Sequence, residues 1–164
     1  MDHRPFMPPK RILMGPGPSD VPERVLEAMA RPTVGHLDPT FIGVMEETKE
    51  LLRDAFRTSN ALTMPVSGPG TSGMESCIVN LVEPGDKVVV CRNGAFGGRL
   101  QAMAERCGGE VVVVDEEWGR AVDPEKLEAT LAAHPDANIV AFVHAETSTG
   151  ALSDAEALAA IARR

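Results

Sequence analysis

From about residue 61 onward the chain switches between two hydrophobic periods. Short apolar runs at 61–66, 87–91, 110–114 and 138–144 read as strands. They lack polar alternation, which predicts burial on both faces of a parallel sheet. Between and after them, near 71–83, 96–107, 123–133 and 153–163, apolar residues recur three and four apart, as on amphipathic helices. Pro84-Gly85 marks a tight turn between a helix and a strand. The predicted fold class is therefore α/β, a mainly parallel sheet with helices on both faces.

The chain before residue 61 follows other rules. Residues 1–21 are rich in proline, include the run Gly15-Pro-Gly-Pro18, and read as an extended arm or loop. Residues 21–29 suit a short helix. Asp38 is placed to cap a longer one, with Pro39 in its first turn and Phe41, Met45, Thr48, Leu52 and Phe56 on one face. At the other end, Ser153-Asp-Ala-Glu156 has the form of a capping box, followed by Ala157, Leu158 and Ile161 as the apolar positions of a helix. A helix of this kind normally feeds another parallel strand. The chain stops at Arg164, so the expectation is the first half of a larger doubly wound sheet.

The segment carrying most chemistry is Ala61 to Leu81, in which a glycine-rich turn through Gly68, Gly70 and Gly73 precedes a helix. A helix opening from such a turn aims unpaired N–H groups and its positive dipole end at one spot, which suits phosphate. Thr71 and Ser72 add hydroxyls there. The spacing also satisfies the dinucleotide fingerprint G-x-G-x-x-G, which wants a carboxylate closing the next strand. That strand closes instead on Arg92 and Asn93. An arginine there would suit a 2′-phosphate, so a Rossmann-like, NADP-dependent reductase stays open as an alternative.

Composition narrows the class. A chain of 164 residues with 43% hydrophobic content can build one domain with a real core. No apolar run is long enough for a membrane-spanning helix, and the N-terminus lacks the apolar stretch of a signal peptide. The net charge of −8 argues against nucleic acid as a partner. Cys77, Cys91 and Cys107 form no C-x-x-C pair and read as reduced core thiols of a cytoplasmic protein. The four histidines are scattered, so no metal site is arguable.

Six pieces then fall in a telling order: Gly15-Pro-Gly-Pro18-Ser19, Gly35-His36, Ser67-Gly-Pro-Gly-Thr-Ser72, Glu83-Pro-Gly-Asp86, Asn93-Gly-Ala-Phe96-Gly97 and His144-Ala-Glu-Thr-Ser-Thr-Gly150. From about Arg11 onward the chain resembles the class V pyridoxal-phosphate aminotransferases, most of all their alanine/serine–glyoxylate (serine–pyruvate) branch. The resemblance implies a fold-type-I large domain, with residues 1–21 as arm and 22–164 as the first part of the cofactor-binding domain. It implies pyridoxal 5′-phosphate as cofactor, with Gly70, Thr71 and Ser72 at its phosphate, Phe96 stacked on its ring and the Thr147 hydroxyl near that ring. It implies Gly17 and His36 on the substrate side, small amino acids and 2-oxo acids as substrates, and a homodimer. His144, at a strand end, suits a hydrogen-bonded scaffold role, and His3 and His134 carry no signal.

The same resemblance shows what to miss. Transamination needs a Schiff-base lysine, an acid against the pyridine nitrogen and usually an arginine for the substrate carboxylate. In the family all three follow the helix that ends here. None of Lys10, Lys49, Lys87 and Lys126 matches the lysine position. The expectation is an N-terminal part that is inactive alone, and that associates because an incomplete sheet leaves an unpaired edge and apolar surface.

Overall fold

The computed structural model describes residues 5–164, and His3 of the arm lies outside the described residues. The chain divides between Pro65 and Val66 into two compact units.

The first unit holds two helices, α1 (Glu23–Met29) and α2 (Pro39–Phe56). Asp38 caps α2 as expected, its carboxylate accepting the Thr40 N–H at 2.8 Å, with Pro39 at the first helical position. Phe41, Met45, Thr48 and Leu52 form a half-buried face, but Phe56, expected on it, is 75% exposed. The expected strand at 61–66 does not form. Strand propensity acts only through pairing. Here the carbonyls of Asn60 and Ala61 take the Arg53 guanidinium instead, at 3.1 and 2.8 Å, and Leu62 and Met64 stay exposed.

The second unit contains α3 (Gly70–Leu81), β1 (Lys87–Arg92), α4 (Ala95–Arg106), β2 (Glu110–Asp115), α5 (Pro124–Ala133), β3 (Ile139–Ala141), β4 (Ala145–Glu146), β5 (Ala151–Leu152) and α6 (Ala155–Ala162). Its main sheet is parallel with order β2-β1-β3, Val88 to Val90 facing both Val111 to Val113 and Ile139 to Ala141. Period-two geometry sorts the central strand. Val88 and Val90 point to a core made with Ile78 and Val82 around α3 and with Leu100, Met103 and Ala104 of α4. Val89 and Cys91 point the other way, into a core with Val114, Val122, Leu127 and Leu158. A fully buried Val or Leu contributes roughly 1.5–3 kcal/mol. The four central residues of β1 thus couple two layers of helices.

Three further expectations are corrected. The strand expected at 138–144 pairs only over Ile139–Ala141, because its ladder to β1 ends at Val90. The chain then turns into an antiparallel ribbon of β4 and β5, closed by Gly150 at a φ of +77°. Ser153 does not cap α6. Its hydroxyl is buried and accepts the Val122 N–H at 3.1 Å, and Asp154 caps the helix through the Ala157 N–H at 3.0 Å. All three cysteines are free, but only Cys91 is in the core, since Cys77 is exposed and Cys107 half-buried.

Burial pushes the Cys91 thiol up to about 12, with the Glu116 charge adding to the effect. Since the thiolate is the reactive form, iodoacetamide at neutral pH should label Cys77 first, Cys107 more slowly and Cys91 only on unfolding. Timed aliquots read by mass spectrometry check this order. Fast labelling of Cys91 in the native protein would mean that β1 opens readily.

Candidate active site

In the sheet of the second unit, α4 leaves β1 on one face while α5 leads to β3 across the other. Strand order reverses between β1 and β3, and ligands of open α/β sheets bind beyond the carboxyl ends at such a reversal. A concavity of about 480 Å³ lies there, lined by Gly70, Thr71, Met74, Phe96, Arg99, Val143, Ala145 and Thr147. It gathers four of the residues singled out in the sequence: Gly70, Thr71, Phe96 and Thr147. Ser72 is not among its lining, because it turns toward Gly68 on the neighbouring side of α3. Gly17 and His36 belong to the first unit, where both are exposed.

The floor at α3 is a helix N-terminus with no side-chain cap. The N–H groups of Ser72 and Gly73 reach the Pro69 carbonyl at 2.9 and 3.4 Å. Helix geometry leaves those of Gly70 and Thr71 without an intrahelical acceptor. A Cβ added at Gly70 would meet nothing within 4 Å, and its φ is not in the left-handed region. Neither sterics nor backbone conformation demands glycine there. Its effect is to let a ligand approach the backbone, which fits a phosphate cradle.

The opposite wall is held by one buried carboxylate. Glu146 has no exposure to solvent. Its Oε2 accepts the N–H groups of Phe96 and Gly97 at 3.0 and 3.1 Å, at the start of α4. Its Oε1 accepts the Ser148 N–H and hydroxyl at 3.2 and 2.6 Å, and the Ser148 Oγ in turn accepts the Ala95 N–H at 3.0 Å. This anion at a helix N-terminus ties the loop carrying Thr147 to the turn carrying Phe96. Burial alone would raise its pKa. The Ser148 hydroxyl and the backbone N–H groups of Gly97, Ser148 and Phe96 outweigh that and hold it below the ordinary glutamate value.

Other polar and charged groups of this unit are committed elsewhere. The Arg92 guanidinium binds Asp115 at 2.8 Å and Gln101 at 3.0 Å, so it is not aimed at a 2′-phosphate. The Asn93 side chain donates to the Arg120 carbonyl at 2.9 Å. Lys87 pairs with Asp136 at the amino end of β1, and Lys126 with Glu116 at 2.6 Å. Neither lines the concavity. His144, expected at a strand end, is exposed in the bend between β3 and β4, where its carbonyl accepts the Ser153 N–H.

The model of the family described as Aminotransferase class-V matches residues 11–164. The chain belongs to that family. It is 41% identical over 150 residues to the (S)-ureidoglycine–glyoxylate transaminase of Bacillus subtilis, covering 92% of this chain and 36% of that protein. It is 42% identical over 147 residues to the alanine–glyoxylate aminotransferase of Drosophila melanogaster, covering 90% and 37%. The crystal structure of alanine–glyoxylate aminotransferase from Nostoc sp. superimposes with a TM-score of 0.93 at 45% identity, over 99% of this chain and 43% of that one. The chain therefore spans about two fifths of these relatives. Class-V aminotransferases use pyridoxal phosphate, and the fold is the fold-type-I α/β architecture of these neighbours.

The sequence reading missed Glu146 as an anchor and Arg99 as a lining residue. A signal existed for Arg99, which lies three positions after Phe96 on the same helical face. For Glu146, its neighbour Ser148 supplies two of the donors, but no sequence pattern could have assigned the anchoring role, which depends on the Phe96 and Gly97 N–H groups 50 and 49 positions away.

Glu146→Gln should cost about 1–3 kcal/mol, because an amide cannot accept on both sides and leaves a buried N–H unpaired. The sign with pH is set by the lowered pKa. The carboxylate stabilises the fold above the unfolded glutamate value of about 4.3, and that contribution disappears as pH falls through the lower folded value. Thermal melts of the two proteins should therefore differ at neutral pH and converge in acid. Superimposable melts at neutral pH would rule out the anchoring role.

Proposed function

We propose that this chain is the N-terminal part of a pyridoxal-phosphate aminotransferase. The whole protein moves an amino group from alanine, serine or a similar small donor to glyoxylate or pyruvate. The observation that carries the reading is the meeting of Gly70, Thr71, Phe96 and Thr147 on one concavity, in a chain of this family. The names of the relatives, transaminases acting on glyoxylate, support the acceptor. Once bound, the cofactor supplies an electron sink that lets an amino group leave one carbon and pass to another.

The chain's own residues bind and orient. The free N–H groups of Gly70 and Thr71 and the Thr71 hydroxyl take the phosphate, with the Ser72 hydroxyl at the flank. Phe96 stacks on the ring and selects which face of the substrate reacts. The Thr147 hydroxyl hydrogen-bonds at the ring's edge. Gly17 and His36 are assigned to the substrate side by the family resemblance alone. Lys49, Lys87 and Lys126 are held by Glu46, Asp136 and Glu116, and Lys10 lies in the arm. That supports a chain without turnover on its own. A reduced cytoplasmic setting agrees with three free thiols.

Equilibrium dialysis against pyridoxal phosphate tests the site. Gly70→Ala should keep the fold, because its Cβ meets open space. In the full-length protein, Gly70→Arg should abolish cofactor retention by filling the phosphate position. Borohydride reduction should leave the four lysines unlabelled. Unchanged affinity in Gly70→Arg, or a labelled lysine with turnover, would refute the assignment.

The reading also includes a homodimer. In the first unit α1 and α2 contain no buried residue, while Met29, Ile42, Val44 and Leu51 are exposed. Covering such apolar area against a second copy gains about 25 cal/mol per Å². Light scattering at micromolar concentration should find a dimer or larger particle. A monodisperse 17.5 kDa species with a cooperative melt would show that the chain is self-sufficient.

A further inference from the structure

Arg99 makes two contacts that join the phosphate end of the concavity to its aromatic wall. From α4 its Nη1 donates to the Thr71 Oγ1, in the first turn of α3, at 3.0 Å. Its guanidinium also lies over the Phe96 ring, 4.9 Å from the centroid. All three side chains line the concavity, and Arg99 is the one cationic residue among its lining.

Each contact has a chemical consequence. A threonine hydroxyl has one proton to give and two lone pairs to receive. Because Arg99 occupies a lone pair, the Thr71 proton is left to point at an acceptor, beside the free N–H groups of Gly70 and Thr71. The guanidinium over one face of Phe96 restrains the ring. One rigid, permanently charged fork thus sets a donor and an aromatic plane at a fixed separation. Lysine, a flexible point charge, could not do both.

We propose that Arg99 is a positioning residue for the cofactor, orienting the Thr71 hydroxyl toward its phosphate and holding the Phe96 plane against its ring. The proposal rests on the pyridoxal-phosphate reading above. It assigns Arg99 no contact with the reacting atoms.

Binding of pyridoxal phosphate and of pyridoxal, which lacks the phosphate, separates the two contacts. R99A, R99K, T71V and the R99A/T71V pair are made in the full-length protein, as for Gly70→Arg, and compared by equilibrium dialysis. R99A should weaken pyridoxal phosphate about tenfold or more, the scale of a lost charge-assisted hydrogen bond, and pyridoxal by less. R99K should recover only part. If Arg99 acts through Thr71, R99A should cost clearly less in the T71V background than in wild type. Arg99 is exposed, so R99A should melt as wild type does, which a purely structural role would not predict. Unchanged binding in R99A, full recovery in R99K, or multiplicative losses in the double variant would overturn the proposal alone. A wild-type protein that binds no pyridoxal phosphate would overturn the underlying reading together with it.

Discussion

Val88 to Cys91 touch no solvent, and the rest of Val66–Arg164 is arranged to keep them dry. A strand apolar on both sides needs cover above and below, hydrogen-bonding partners on both edges, and connections long enough to cross a parallel sheet. Those demands account for β2 and β3 on the flanks, for α3 and α4 on one face, and for α5 and α6 on the other. They also determine where chemistry can occur. Once the central strand is buried, its carboxyl end is where the turn before α4 and the loop after β3 converge.

Convergence alone does not make a site, because turns are soft. The buried Glu146 carboxylate supplies the stiffness. Taking a carboxylate out of water is expensive, and the expense is offset only while Phe96, Gly97 and Ser148 all present their donors at once. The anion therefore tolerates one local geometry. A wall built of apolar contacts would have many near-equivalent packings, whereas this one has a single arrangement that leaves no donor orphaned.

How legible all this was from sequence depended on how local the cause was. Asp38 capping α2 and the glycine-rich start of α3 are decided within a few residues, and both were readable. The unbroken valines of β1 declared their burial directly, whereas those of β2, at the end of the strand order, are half-buried except Val114. The strand expected at 61–66 failed because pairing is a property of the neighbourhood and not of the run. Ser153 was misassigned for a related reason. Its hydroxyl had two feasible acceptor roles, and a partner thirty-one positions back, Val122, decided between them. The candidate site divides along the same line. Gly70, Thr71, Phe96 and Thr147 sit in motifs, while Arg99 and Glu146 gain their meaning from contacts across the fold. The resemblance to class V enzymes carried the cofactor, which local patterns left undecided between two phosphate ligands.

Gly94 shows what such contacts imply for the protein's evolution. Its φ of 172° suits any residue, yet a Cβ there would lie 2.4 Å from Glu146 Cγ and 2.7 Å from the Ser148 Oγ. The exclusion comes from the occupant opposite and not from the backbone. Positions 94 and 146 consequently form an epistatic pair. While the glutamate stands, even alanine at 94 is barred. A lineage that shortened the side chain at 146 would open position 94 to drift, and with a larger residue fixed there the original glutamate could no longer return in a single step.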